Sequence, residues 1–169
     1  MSFDELPTTF TVIKHLAFCC LLDDLGFIFT HRILHIPILY KHIHKVHHTY
    51  NQTIGITSEY AHPIEFLFGN VLPVTLPYNL LGKNIHFFTV LLWATTKLWN
   101  TTLTHSGYTF SWSPADWIPF KCDSEYHDYH HNKNIGNFGG MLYVWDTIFG
   151  YNEQYWKYIE VKRKKLKLN

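Results

Sequence analysis

The chain is 169 residues long, 47% hydrophobic and 18% aromatic, with 13 histidines against 13 Asp and Glu together. This length suits one domain, and so aromatic a chain with only 16% charged residues is not a disordered one. Three cysteines, of which Cys19 and Cys20 are adjacent, exclude a disulfide scaffold and read as free thiols, while the net charge of +1 points to no nucleic-acid partner.

In chain order, the acidic start M-S-F-D-E-L-P does not resemble a signal peptide. The apolar segment Phe10–Thr30 follows, interrupted by Lys14, His15, Asp23 and Asp24, and His31–His35 ends it, with Pro37 marking the break. Tyr40–Thr49 reads as a short helix. Phe66–Gly82 is uncharged but holds Pro73 and Pro77, and Ile85–Trp99 holds a single Lys97. None of these is a clean span of about 20 apolar residues, so residues 66–99 read as a pair of short or bent helices. His105 precedes a turn at S-G-Y, and residues 111–120 read as loop. A helix starts at Asp123–His131, with Asp123 or Ser124 as its N-cap, and Met141–Gly150 reads as a last amphipathic helix. Residues 157–169 carry +5 and residues 1–156 carry −4. The expected organisation is therefore a main domain over 1–156 and a basic C-terminal tail over 157–169, suited to an anionic membrane surface or an acidic partner. The fold class expected is all-α, a membrane-associated helical bundle; a mean hydropathy of −0.09 leaves a soluble bundle open.

The histidines are clustered. His31-x-x-x-His35 places two imidazoles on one helix face. His44-x-x-His47-His48 and His127-x-x-His130-His131 each place three on one turn. The eight imidazoles exceed the needs of one metal and suit two, at four or five each. Isolated histidines such as His15, His42 and His86 read as packing or surface residues. Structural zinc usually brings cysteine thiolates and four ligands, whereas imidazole-rich sites with open positions suit iron that meets dioxygen; zinc in place of iron is the alternative. Acids such as Asp24, Glu59, Asp128 and Asp146 are expected to orient the imidazoles. Phe27, Phe29, Trp93, Trp99, Tyr108 and Trp112 are expected to line an apolar pocket.

These clusters, in this order, resemble the histidine boxes of the fatty acid hydroxylase/sterol desaturase superfamily, and within it the C4-methylsterol monooxygenases. The stretches that carry the resemblance are D-D-L-G-F-I-F-T-H-R-I-L-H, Y-K-H-I-H-K-V-H-H, S-E-Y-A-H-P-I-E, H-S-G-Y, H-D-Y-H-H and W-D-T-I-F-G, spanning about residues 23–155. The resemblance implies a fatty acid hydroxylase-like domain over 1–156 with a histidine-rich dinuclear centre of two non-haem irons. It implies oxidation of a sterol or fatty-acyl lipid by dioxygen (hydroxylation, desaturation or demethylation), with electrons from NAD(P)H through a b-type cytochrome. His31, His35, His44, His47, His48, His127, His130 and His131 match box ligands, His105 matches a further ligand, and His62 in A-H-P-I-E is a possible additional one.

Relative to that superfamily the chain is expected to be truncated at the amino terminus, since 30 residues precede His31. The position four before His105, a histidine in some relatives, is Thr101. Two functions follow. One is a membrane di-iron lipid monooxygenase or desaturase, placed in the endoplasmic reticulum by the resemblance. The other is a hydroxylase-derived structural or accessory subunit of a larger membrane complex, with the metal site retained but idle, for which the mitochondrial inner membrane is the alternative location.

Overall fold

The computed structural model describes residues 1–110 and 117–167. Among them there is no β-strand, only isolated bridges at Ser2–His86 and Lys121–Leu142. Helix α1 (Thr9–Leu34) is capped by Thr8, whose hydroxyl accepts from the Thr11 amide at 3.3 Å. It ends where Ile36, constrained by the following proline, turns extended and Pro37 opens α2 (Pro37–His42). A 3-10 turn, His44–Thr49, completes the stretch expected as one helix over Tyr40–Thr49.

After a second 3-10 turn at Gly55–Glu59, α3 (Pro63–Glu65), a π-helical turn (Phe66–Val71) and α4 (Leu72–Leu81) run on continuously. The π turn has a local cause. Pro73 has no N–H to offer the carbonyl four residues back, and just ahead of it the Leu72 amide reaches Leu67, five residues back. A 3-10 turn (Gly82–Asn84) leads into α5 (Phe87–Thr104). Residues 66–99 thus hold two helical segments, as expected, the first interrupted by a π turn ahead of its prolines.

The Asp123 carboxylate caps α6 (Ser124–Lys133), accepting from the Tyr126 amide at 2.8 Å. Asn134, in the left-handed region at φ 54°, ends the helix. Of the expected helix Met141–Gly150, only α7 (Val144–Phe149) is helical, stopped by Gly150 at φ 72°. Residues 134–143 instead form an irregular loop, in which the helical pattern yields to positive φ at Asn134, Gly136 and Asn137. The basic segment lies largely in α8 (Glu153–Leu166), which buries Tyr155 and Ile159 against Cys122 and Tyr126. A second apolar cluster joins Cys19, Ile85, Val90, Trp93 and Met141.

Among the described residues no helix is long and apolar enough to cross a membrane. In α1, apolar side chains share the helix with a buried ion pair: Lys97 Nζ of α5 donates to Asp23 Oδ2 at 2.5 Å, and Asp23 is fully buried. Burial pulls the ammonium down, but Asp23, with Asp24 and Cys20, holds it above its ordinary range. Breaking such a pair strands a buried charge. Lys97→Met should therefore cost about 3–5 kcal/mol of unfolding free energy, and adding Asp23→Leu should recover part of the loss. Chemical denaturation of the single and double variants measures both; a single variant as stable as the wild type would contradict the ion pair.

Candidate metal centre

Nine buried or half-buried histidines meet in the middle of the helices. Their ligand nitrogens form two groups, each with its members within 4.8 Å of one another: His31, His35, His44, His48 and His130 in one, His47, His105, His127 and His131 in the other. The grouping cuts across the sequence motifs. His44 and His48 join the first group and His47 the second; His130 joins the first, and His127 and His131 the second. Each H-x-x-H-H thus supplies both groups instead of aiming three donors at one point. In both motifs the two histidines four residues apart share a group and the third joins the other, whether the turn is 3-10, as at 44–49, or α-helical, as in α6.

The outer ring nitrogens are held by acceptors. His31 Nδ1 donates to the Phe138 carbonyl at 2.9 Å and His130 Nδ1 to Gly136 at 2.7 Å. His105 Nδ1 donates to Thr101 at 2.9 Å and His47 Nδ1 to Tyr60 at 3.3 Å. A carbonyl only accepts, so each of these rings carries its proton on Nδ1 and presents a bare lone pair at Nε2. Yet the inner nitrogens crowd together. His105 Nε2 lies 3.3 Å from His47 Nε2 and 2.9 Å from His127 Nε2. His44 Nε2 has the Nε2 atoms of His31, His35 and His48 at 3.1, 3.0 and 3.0 Å, and one N–H can serve only one of the three.

With both Nδ1 protons given to carbonyls, the neutral His47–His105 pair has no hydrogen bond between its Nε2 atoms. Protonating a ring would supply one, but burial drives His47 down to about 4 and His105 to about 3. Converging lone pairs on neutral rings fit a cation, and five and four imidazoles fit two metal ions. His48, His127 and His131 have buried Nδ1 atoms without a partner among the described residues, where they are held through Nε2 alone.

Among the described residues, one acid touches an imidazole: Glu65, whose Oε1 lies 2.7 Å from His44 Nδ1. Burial pushes Glu65 up to about 8 and His44 far down, so the contact is a hydrogen bond, not a fixed ion pair. The four acids expected in this role lie elsewhere. Asp128 accepts from Thr53 at 2.6 Å, Glu59 is exposed, and Asp24 and Asp146 hold the backbone of the 134–143 loop. Glu65 closes the S-E-Y-A-H-P-I-E stretch, in which His62 and Glu59 read as the candidates, and its partner His44 lies 21 residues away; backbone carbonyl acceptors leave no side-chain signature. The only cue to them is the Asn- and Gly-rich run from Asn134 to Gly140. His62 joins neither group; its Nδ1 accepts from the Ile64 amide at 3.2 Å as the cap of α3, as His86 caps α5.

A cavity of about 260 Å³ opens onto both groups, touching His31 and His44 on one side and His47, His105 and His127 on the other. Its walls are mostly apolar, including Phe27, Phe66, Val71, Val74 and Leu98, with Lys97 among its polar groups. The π turn forms one side. Of the six aromatics expected here, Phe27 alone lines it. Phe29 lines a second cavity of about 690 Å³ beside half-exposed His35. Trp93 is buried, its Nε1 donating to Val74 O at 3.1 Å. Trp99 and Tyr108 are exposed, and Trp112 is outside the described residues.

This arrangement coincides with a family match: the fatty acid hydroxylase model covers residues 16–151. The chain belongs to the fatty acid hydroxylase family. It is 39% identical over 161 residues to a Dictyostelium discoideum protein that carries a methylsterol monooxygenase name, covering 95% of this chain and 58% of that one. It is 39% identical over 153 residues to very-long-chain aldehyde decarbonylase GL1-11 of Oryza sativa subsp. indica, covering 89% and 56%. It is 36% identical over 164 residues to methylsterol monooxygenase 1 of Rattus norvegicus, covering 97% and 55%. The chain therefore spans somewhat more than half the length of these relatives. No solved structure matches it significantly.

The buried rings make stability depend on pH. An unfolded histidine takes up its proton near 6.5, whereas His47 and His105 resist it until about 4 and about 3. Stability is full above 6.5 and drains as the pH falls through that interval. The denaturation midpoint of metal-free protein should drop between about pH 7 and about pH 5. A midpoint unchanged over that range would show that these rings are not held neutral.

Proposed function

We propose that the two histidine groups hold two iron ions and that the chain oxidises a C–H bond of a sterol or fatty-acyl lipid with dioxygen. The observation that carries this reading is that both groups open onto one mostly apolar cavity. His31, His35, His44, His48 and His130 would hold one iron and His47, His105, His127 and His131 the other. When bound, the irons supply activation of dioxygen with electrons from outside, a task no side chain performs. Such electrons would come from NAD(P)H through a b-type cytochrome.

The protein's part is placement. Phe138, Gly136, Thr101 and Tyr60 carbonyls fix ring tautomers so that Nε2 lone pairs point inward, and the Glu65 carboxyl holds the His44 ring through Nδ1. Phe27, Val71 and Val74 keep water away from the reacting carbon, with Phe66 and Leu98 reaching the surface. At about 260 Å³ the cavity is smaller than a typical small-molecule pocket. It receives the reacting end of a lipid while the rest stays outside.

Where the rest of the lipid lies is suggested by the surface. Phe68, Leu72, Leu76 and Leu80 along the π turn and α4 are exposed, as are Phe88, Leu91, Leu98 and Trp99 of α5. Apolar exposure on this scale marks a membrane or partner surface, so we read the chain as membrane-associated; the endoplasmic reticulum rests on the resemblance of its histidine motifs alone. The same surface would serve an accessory subunit in a membrane complex, with the metal site idle.

Turnover separates these readings. His130→Ala, which removes a ring from the five-histidine group, should lower bound iron and abolish oxidation of methylsterol and long-chain acyl substrates supplied with a reducing system. Oxidation retained by His130→Ala would contradict the proposal. A wild type that binds iron but oxidises none of these lipids would favour the accessory role.

A further inference from the structure

The loop between α6 and α7 is held in an unusual way. Five consecutive backbone amides, 138 to 142, point at two buried carboxylates. Asp146 Oδ1 accepts from Phe138 N at 3.0 Å, and its Oδ2 from Gly139 N at 2.8 Å and the Tyr126 hydroxyl at 2.7 Å. Asp24 Oδ1 alone accepts from Gly140, Met141 and Leu142 at 3.2, 2.8 and 3.2 Å. Both aspartates are fully buried. Gly139 is required by the closeness of this arrangement: a Cβ there would lie 2.5 Å from Leu142 O and 2.9 Å from Asp146 Oδ2.

With its amides turned to the carboxylates, the loop turns two carbonyls to the histidines. Gly136 O receives His130 Nδ1 and Phe138 O receives His31 Nδ1. Both rings belong to the five-histidine group. The four-histidine group leans instead on Tyr60 and Thr101, outside the loop. The two groups thus have separate supports.

We propose that Asp24 and Asp146 are positioning residues for one metal ion and not the other: through the loop they orient His31 and His130 and leave the four-histidine group untouched. The inference rests on the reading that each group holds an iron. Loss of such an orienting partner typically weakens metal binding about 10–100-fold, here confined to one of the two ions.

The two carboxylates differ in a way that sharpens the test. All three amides on Asp24 use one oxygen, while its Oδ2 has no hydrogen-bond partner among the described residues. Asp24→Asn therefore keeps the acceptor and should behave as the wild type, whereas Asp24→Ala should not. Asp146 uses both oxygens, so Asp146→Asn must face an NH₂ group toward at least one loop amide or the Tyr126 hydroxyl.

The experiment loads the full chain with ferrous iron without oxygen and counts the bound metal. Wild type and Asp24→Asn should bind about two irons per chain, and Asp24→Ala and Asp146→Asn about one at limiting iron. In the Asp146→Asn background, His31→Ala should remove nothing further and His127→Ala the remaining iron. If Asp146→Asn does not fold, the Asp24→Asn and Asp24→Ala pair decides. A wild type without two irons would overturn the metal reading and the inference with it. Two irons in the wild type, with both kept or both weakened alike in Asp24→Ala and Asp146→Asn, would overturn the inference alone.

Discussion

Neutral imidazoles with their lone pairs turned toward one another are the constraint on which this structure depends. His47 and His105 both give their Nδ1 protons to backbone carbonyls, so the 3.3 Å between their Nε2 atoms separates two acceptors. That contact is repulsive without a cation between the rings, and burial denies them the proton that would serve as one. Around His44 three further Nε2 atoms make the same demand. Nine polar rings in the centre of a small bundle make sense as a nest for positive charge.

The rest of the fold can be read as support for that nest. α1 brings His31 and His35 in from one side, and α6 brings His127, His130 and His131 from the other. The short turn at His44–Thr49 closes the gap between the two groups. The carbonyls that set the tautomers come from places where the backbone leaves regular geometry: the end of a 3-10 turn at Tyr60 and the loop at Gly136 and Phe138. Thr101 is the exception, a helix carbonyl one turn before His105 near the end of α5. Polar chemistry is thus confined to the middle, while the π turn, α4 and α5 wall the adjoining cavity with apolar groups.

The histidine pattern was legible because imidazoles recurring at three- and four-residue spacing are rare and chemically costly to bury. The helices were legible where apolar length or a capping residue marked them, as in α1 and at Asp123. What the pattern hid was geometry. Nothing in H-x-x-H-H says that the middle and outer histidines part company, because that depends on which histidines the other elements bring to each face of the turn. Glu65 stands in the S-E-Y-A-H-P-I-E stretch, where His62 and Glu59 read as the candidates instead, and Asp24 and Asp146 were recognised as useful acids but assigned to the rings instead of to the loop behind them. A loop that works through its main chain has no motif of its own beyond its glycines and asparagines.

The most direct test of the central claim is anomalous X-ray diffraction at the iron edge, on crystals of the full chain prepared with ferrous iron. The account predicts two peaks, one among the Nε2 atoms of His31, His35, His44, His48 and His130 and the other among those of His47, His105, His127 and His131. A map with no peak in either group, or with iron bound elsewhere on the chain, would contradict it.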